Sequence, residues 1–477
     1  MLLTSFFQKK GFYNYFFYCN KALAICSQDR IYKTREDFAW QCELCVGGFN
    51  NLQLAGVLQT EQMEYKDISF FMQFEHFERV VGIVNSANCT NKLTSLELEG
   101  FEIGKYVSYR VMRYFFRGYL KNDESELTVF KNFMIETLKF YYLFEEHLNK
   151  NKPDYAIIHN GSFNFGNVVR YLLELHSVPY ITFETFIGEN SIIYKKNGEV
   201  MRLRWDEEYY RFKNKNKDNW EIKDIEDKVA EFMSKIKDGS VMYARLNDLK
   251  TEQIESHEKF CVLFTNLNFD SAVIGRHTIY NKMTDWIIDT VRFWEENVTG
   301  VKLYIRIHPG EKKLVTPSND FVNELFVNFS SEKVVIFDAE SDISSYELIE
   351  KMLFGIVYSS TVGLEMLYYG KECVVAGDPF YLTTGLVDKF ESTEEYCKKI
   401  LELLKNEQNP ISENRRSDLI EYLYFFYFMM VNRIEGSNFN LKKSTGFLNA
   451  KSINEVLEIN QDFFYKISST LFDQEKI

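Results

Sequence analysis

The chain lacks the features that mark several large protein classes. It has no run of about 18 consecutive apolar residues, the length a membrane-spanning helix needs. Its start, MLLTSFFQKKGFYNYFFYCNK, is interrupted by Lys9 and Lys10 and shows no clear cleavage site, so it makes a poor secretory signal. Eight cysteines in 477 residues do not make a disulfide scaffold, and reduced thiols in a cytoplasm are the simple reading. Positive charge is also short. The net charge of −13 argues against a general nucleic-acid binder, which needs a basic face to release counterions. No polybasic run advertises a membrane surface, although a peripheral contact at the inner face of a membrane stays open. Proline is scarce at 6, and there is no internal repeat or low-complexity tract. The dinucleotide fingerprint G-x-G-x-x-G, the P-loop and any D-x-D triplet are all missing.

What remains is an ordinary folded composition, 45% hydrophobic and 26% charged, in a chain long enough for two or three domains. Aromatics are abundant, with 43 Phe and 30 Tyr. The most organised stretch is LFGIVYSSTVGLEMLYYGKECVVAGDPF, residues 353–380. It predicts a buried strand over Phe354–Tyr358, a hydroxyl-rich loop Ser359-Ser360-Thr361, a helix from Gly363 to Tyr369, and a second strand over Glu372–Ala376. A helix start carries unpaired N–H groups and partial positive charge, so it suits an anion. Ser359, Ser360 and Thr361 add hydroxyl donors, and Gly363 would let a ligand approach the backbone. The same residues would serve equally as an ordinary helix cap.

Upstream, Leu303–Ile307 reads as a strand that ends in His308-Pro309-Gly310, flanked by Arg306, Lys312 and Lys313. In open α/β sheets ligands bind beyond the carboxyl ends of the strands, where His308 and Ser359 would both lie. Before it, the strand Phe260–Phe264 runs into the loop Thr265-Asn266-Leu267-Asn268-Phe269-Asp270.

RIHPGEKK, YSSTVGLEMLYYGK and NLNFDSAVIGRH together resemble the bacterial capsule and surface-polysaccharide glycosyltransferases of GT-B architecture. The His-Pro and Ser-Ser/Thr motifs are also similar to those of bacterial sialyl- and polysialyltransferases. The resemblance covers residues 258–380 best and 100–190 more loosely. It implies two Rossmann-like, doubly wound α/β domains facing an interdomain cleft. Arg306, His308, Lys312, Ser359, Ser360, Thr361, Gly363, Thr265 and Asn266 would then hold the donor's phosphate and nucleotide. Transferases of the other common architecture hold a metal on the donor diphosphate with a D-x-D triplet. Its absence here implies no metal and no other cofactor, with protein cations and helix ends stabilising the leaving group.

The first half of the chain is less legible. Cys42-Glu43-Leu44-Cys45 lacks a second ligand pair at zinc-site spacing and reads as structural thiols. Residues 104–120 predict a helix placing Arg110, Arg113 and Arg117 on one face, followed by a longer helix at 126–149. A strand then ends at His159-Asn160-Gly161, and a helix over 165–176 leads to a strand Tyr180–Phe183 followed by Glu184. Asn160 and Gly161 are the acceptor-side candidates, and the strand-end Glu184 resembles one carried by the capsule transferases. Glu184 is the first candidate for general base, and Asp270 the second.

The expected organisation is an acceptor-side domain over 1–204, a charged helical connector over 205–258 and a nucleotide-sugar domain over 259–409. A buried helix over 410–435, DLIEYLYFFYFMMVN at its centre, would brace the domains, followed by an extension over 436–477. The activity implied is transfer of a sugar from a nucleotide-sugar donor to a glycan or lipid-linked glycan acceptor in the cytoplasm. A teichoic-acid-type polyol-phosphate transferase and a non-catalytic nucleotide- or glycan-binding module are the alternatives.

Overall fold

The two larger sheets among the described residues, one of five strands and one of four, differ in their strand directions. In the computed structural model the described residues are 2–18, 63–67, 74–163, 165–187, 190–216, 222–239, 258–313, 322–406, 411–440, 445–448, 450 and 452–471. The Cys42/Cys45 pair lies outside them. The chain divides into two units. Unit 1 takes in 1–115, 120–201 and 432–477, and unit 2 takes in 116–119 and 202–431.

Unit 1 begins with α1 (Leu2–Lys9) and the parallel pair β1 (Asn14–Tyr18) and β2 (Met63–Asp67). Helices α2 (Phe74–Asn85), α3 (Thr90–Thr94), α4 (Ile103–Tyr114) and α5 (Glu124–Lys150) follow. Asp123 caps α5 by accepting from Glu126 N–H at 2.8 Å. Phe130, Met134, Leu138 and Tyr141 form the buried stripe expected of α5. Next come β3 (Ala156–His159), α6 (Phe165–Leu175), β4 (Tyr180–Thr185) and β5 (Ser191–Lys196). Strands β3 and β4 are parallel and linked through α6, whereas β5 returns antiparallel to β4.

Helix α4 stops earlier than the predicted 104–120. Phe116 sits at φ +52, in the left-handed region a helix cannot continue through. Arg117 therefore does not share a helical face with Arg110 and Arg113. Those two lie over aromatic rings instead, Arg110 4.9 Å from the Phe133 centroid and Arg113 4.2 Å from that of Phe163.

Unit 2 opens with α7 (Asp206–Asn216) and α8 (Ile222–Lys237). The predicted charged connector is partly buried here, because Val229, Phe232, Met233 and Ile236 join the interior of this unit. Residues 240–257 of that connector lie outside the described residues. The remaining elements are β6 (Phe260–Phe264), α9 (Met283–Asn297), β7 (Lys302–Arg306), β8 (Val334–Phe337), α10 (Ser345–Lys351), β9 (Phe354–Val357), α11 (Val362–Tyr368), β10 (Glu372–Val375), α12 (Thr393–Lys405) and α13 (Glu413–Tyr424). Helix α13 runs on through a π-helical turn, Phe425–Met430, and packs on α8 and α11 within the unit.

All five strands β6–β10 are parallel, in the order β10-β9-β6-β7-β8. Read from the other edge, this is the 3-2-1-4-5 order of a Rossmann half, as the α/β reading expects. Central strands covered on both faces read as continuous apolar runs, and every residue of β6 and β9 is buried. Trp286 and Trp294 fill the layer between α9 and the sheet, and their indole N–H groups donate to Tyr396 Oη (2.9 Å) and Val301 O (3.0 Å).

The chain then returns to unit 1. Strand β11 (Asn432–Arg433) pairs antiparallel with β5, so the order there is β11-β5-β4-β3. The hairpin β12 (Ser437–Asn440)–β13 (Thr445–Leu448) precedes α14 (Ile453–Ile459) and α15 (Gln461–Leu471). Phe6 and Phe7 of α1 share a core with Ile181, Ile434, Val456 and Phe464. The expected extension 436–477 is therefore part of the first unit rather than an appendage.

Candidate functional site

The register of the parallel sheet sets the level at which three loops emerge. Phe264, the last residue of β6, lies opposite both Arg306 of β7 and Val357 of β9. Thr265, Ile307-His308 and Tyr358-Ser359 thus leave the sheet together. Strand β6 lies between β7 and β9, which places its end at the switch point where the strand order reverses.

The loops are stitched to one another. Thr265 N–H donates to Arg306 O at 3.1 Å, and His308 N–H donates to the Thr265 hydroxyl at 2.9 Å. Ser359 N–H donates to Asn266 Oδ1 at 3.4 Å, and the Ser359 hydroxyl donates to Ala272 O. Thr265, Asn266 and Ser359 are all buried, so these are structural ties. The Ser359 hydroxyl, expected to face a phosphate, is engaged with the loop after β6.

His308 is held differently. Gly310 N–H donates to His308 Nδ1 at 2.9 Å, which fixes Nδ1 as the acceptor and leaves the hydrogen of a neutral ring on Nε2. Burial pushes the His308 pKa down; Asp270 opposes this and Arg306 adds to it. The ring is thus neutral near pH 7 and offers a fixed N–H donor. Gly310 makes this possible, because a Cβ there would lie 2.8 Å from His308 Nδ1.

Two other candidates have different tasks from those expected. Arg306 turns its guanidinium to the loop after β8, donating to Asp338 O at 2.6 Å and Ser341 O at 3.1 Å. It braces that loop rather than pointing to a ligand. Gly363 does not open the backbone to a ligand either. A Cβ there would fall 2.0 Å from the Tyr381 hydroxyl, which donates to Ser360 O at 2.7 Å. Tyr381, which sequence reasoning missed, is what requires the glycine.

At the start of α11, Val362 N–H donates to Ser360 Oγ (3.3 Å), Gly363 N–H to Ser360 O (3.3 Å) and Leu364 N–H to Thr361 O (3.0 Å). The Thr361 hydroxyl caps nothing. The hydroxyls of Ser360 and Thr361 therefore remain as donors. Lys312 lies in the short 3-10 turn Pro309–Lys313, and its side chain is outside the described residues. Asp270 accepts from the Ser271 hydroxyl at 3.0 Å and Ala272 N–H at 3.4 Å, shaping the loop after β6.

In unit 1, Asn160 (φ +63) and Gly161 (φ +75) make a left-handed turn after β3. Asn160 Nδ2 donates to Glu184 Oε2 at 2.7 Å. His159 Nε2 lies 3.3 Å from Glu184 Oε1. Sequence reasoning passed over His159, although it ends a strand as Glu184 nearly does. Among the described residues no group of three or more His, Cys, Asp or Glu is placed to hold a metal ion. No described helix is long and apolar enough to cross a membrane.

Residues 204–409 match the family model "Capsule polysaccharide biosynthesis protein", a span that coincides with most of unit 2 and contains the His308 and Ser359 loops. The sequence matches no curated protein. Among solved structures, the chain is similar to the KpsC β-Kdo 2,4 transferase of Thermosulfurimonas dismutans at 14% identity and a TM-score of 0.38, covering 63% of this chain and 86% of that one. The β-Kdo 2,7 transferase of the same KpsC gives 14% and 0.35, covering 67% and 90%. S. aureus MnaA in its UDP co-structure gives 15% and 0.29, covering 60% and 73%. Similarities of this size say nothing of activity.

Proposed function

We propose that the protein is a metal-independent glycosyltransferase that moves a sugar from a nucleotide-sugar donor to a glycan acceptor in surface or capsular polysaccharide synthesis. One observation carries the reading: the capsule-family match falls on the unit whose sheet has Rossmann order, with a fixed imidazole donor at its switch-point edge. In this reading His308 Nε2–H and the Ser360 and Thr361 hydroxyls donate to the donor's phosphate oxygens. As the glycosidic bond to phosphate breaks, charge grows on those oxygens. Donors already in place stabilise that charge without reorganisation, and losing one typically costs about 10²–10³-fold in rate. Unit 1 handles the acceptor, with the Asn160–Gly161 turn on that side.

The test is a thermal-shift panel of CMP, CDP, UDP, GDP, dTDP and ADP with EDTA present. A ligand at about a hundred times its dissociation constant adds about 2.7 kcal/mol of stability. The expected result is a response to one nucleotide that disappears in His308→Ala. Silence across the panel, or a response that requires added divalent metal, overturns the reading.

A further inference from the structure

A fourth loop leaves the same edge of the unit 2 sheet, after β10. Strand β10 pairs parallel with β9, and just beyond the paired residues Ala376 N–H donates to Val357 O at 3.0 Å and Gly377 N–H to Tyr358 O at 2.9 Å. The loop that follows therefore starts beside Ser359, Ser360 and Thr361. It carries Tyr381, which is wholly buried. Phe380 stacks on Phe426 of the π-helical turn with ring centroids 4.5 Å apart, and the Thr384 hydroxyl donates to Tyr381 O at 2.7 Å. These contacts fix the backbone from which the tyrosine projects.

The Tyr381 hydroxyl donates to Ser360 O at 2.7 Å, and the same carbonyl accepts Gly363 N–H at 3.3 Å. The first distance is typical of a good O–H···O bond, whereas the second lies beyond the usual N–H···O range. Tyr381 is thus the tighter of the two ties on this carbonyl. Burial pushes the Tyr381 pKa well up, so the phenol keeps the one hydrogen it has to give. A trans peptide is planar, and its C=O and N–H point in opposite directions. With Ser360 O drawn towards a buried hydroxyl, Thr361 N–H faces away from the interior. That N–H makes no hydrogen bond among the described residues, and Ser360 and Thr361 are only half-buried.

We infer that Tyr381 is a positioning residue of the donor site, holding the Ser360–Thr361 peptide so that Thr361 N–H joins the two hydroxyls as a third donor to phosphate. The inference rests on the transferase reading above and lies wholly within unit 2. It also gives Gly363 a task. A Cβ there would fall 2.0 Å from the tyrosine hydroxyl and 3.0 Å from its Cζ, so the glycine makes room for the bond to Ser360.

The experiment titrates the whole protein, ¹⁵N-labelled at threonine, with CMP, CDP, UDP, GDP, dTDP and ADP in EDTA. It follows the Thr361 amide by NMR and affinity by calorimetry. In the wild type the nucleotide that binds should move the Thr361 amide proton downfield, as a donor to phosphate does. Tyr381→Phe keeps the ring and removes the hydroxyl. It should weaken affinity about threefold to tenfold, the equivalent of one modest hydrogen bond, and shrink that shift. A tyrosine with a merely structural role would leave the bound-state shift as it was. Gly363→Ala checks the geometry without ligand: it should lower the thermal midpoint less in the Tyr381→Phe background than in the wild type. An unchanged affinity or Thr361 shift in Tyr381→Phe, or equal losses from Gly363→Ala in both backgrounds, overturns the Tyr381 role alone. No response of the wild type to any of the six nucleotides overturns the transferase reading and this role with it.

Discussion

Two histidines lie at or just beyond the ends of parallel strands, and their surroundings shift them in opposite directions. His308, after β7 in unit 2, accepts a backbone N–H on Nδ1, and its burial keeps the ring neutral. His159, the last residue of β3 in unit 1, stays exposed with Nε2 3.3 Å from Glu184 Oε1, and this carboxylate raises its pKa. The first ring keeps its hydrogen on Nε2, and the second lies beside a carboxylate. Residue type is the same in both cases, and His308 lies only two residues beyond the end of its strand where His159 ends its own. The surroundings of each ring, burial beside a backbone N–H in one case and a carboxylate in the other, set the direction in which its pKa moves.

That contrast can be broken most directly at Gly310. Gly310→Ala places a Cβ 2.8 Å from His308 Nδ1, so the ring or the turn must move. Nucleotide affinity by calorimetry should weaken about tenfold, the equivalent of losing one modest hydrogen bond. Turnover at saturating donor should stay above that of His308→Ala. An unchanged affinity would mean that the backbone bond does not position the ring.

Thr265→Val acts one step further back. It removes the hydroxyl that accepts from His308 N–H inside a buried loop, and should cost about 1–3 kcal/mol of stability in urea unfolding. No equivalent loss is expected from substitutions around His159, whose ring is exposed.

The smallest effect is in the pH dependence of stability. A histidine with a depressed folded pKa lets the unfolded chain bind the proton first, so His308 lowers stability as pH falls through about 6.5. His159 has the opposite sign: its contribution is complete below the unfolded pKa and is lost as pH rises through the folded one. His308→Ala should therefore gain slightly on the wild type between pH 7 and 5 in thermal unfolding, and His159→Ala should lose slightly over the same interval. Slopes of the same sign in both variants would contradict the contrast.

The parallel sheet was legible because its strands are buried on both faces. Phe260–Phe264 and Phe354–Val357 are unbroken apolar runs, and their ends fall within a residue of the predicted positions. The loops at those ends were legible as a candidate site for the same reason. What the side chains do there was not, because their partners lie far along the chain. Ser359 is tied to Ala272, Arg306 to Asp338 and Ser341, and Gly363 is shaped by Tyr381. Local pattern carries no signal for such pairings. The end of α4 was missed because a single phenylalanine, Phe116, adopts a left-handed conformation that composition does not announce. His159 could have been found by applying to the strand end the test that singled out Asn160 and Glu184.

The pairing of β11 with β5, and of the first helix with the last two, has a consequence for how the protein is made. A ribosome delivers Phe6 and Phe7 long before their partners Val456 and Phe464, with the whole of unit 2 made in between. Until then the early segment has an apolar face to shield, while the intervening unit has all five strands of its sheet in hand and can fold during synthesis. Unit 2 can thus be folded before the core shared by α1, α14 and α15 is complete. A truncation at residue 431 should yield a soluble middle and an aggregating beginning.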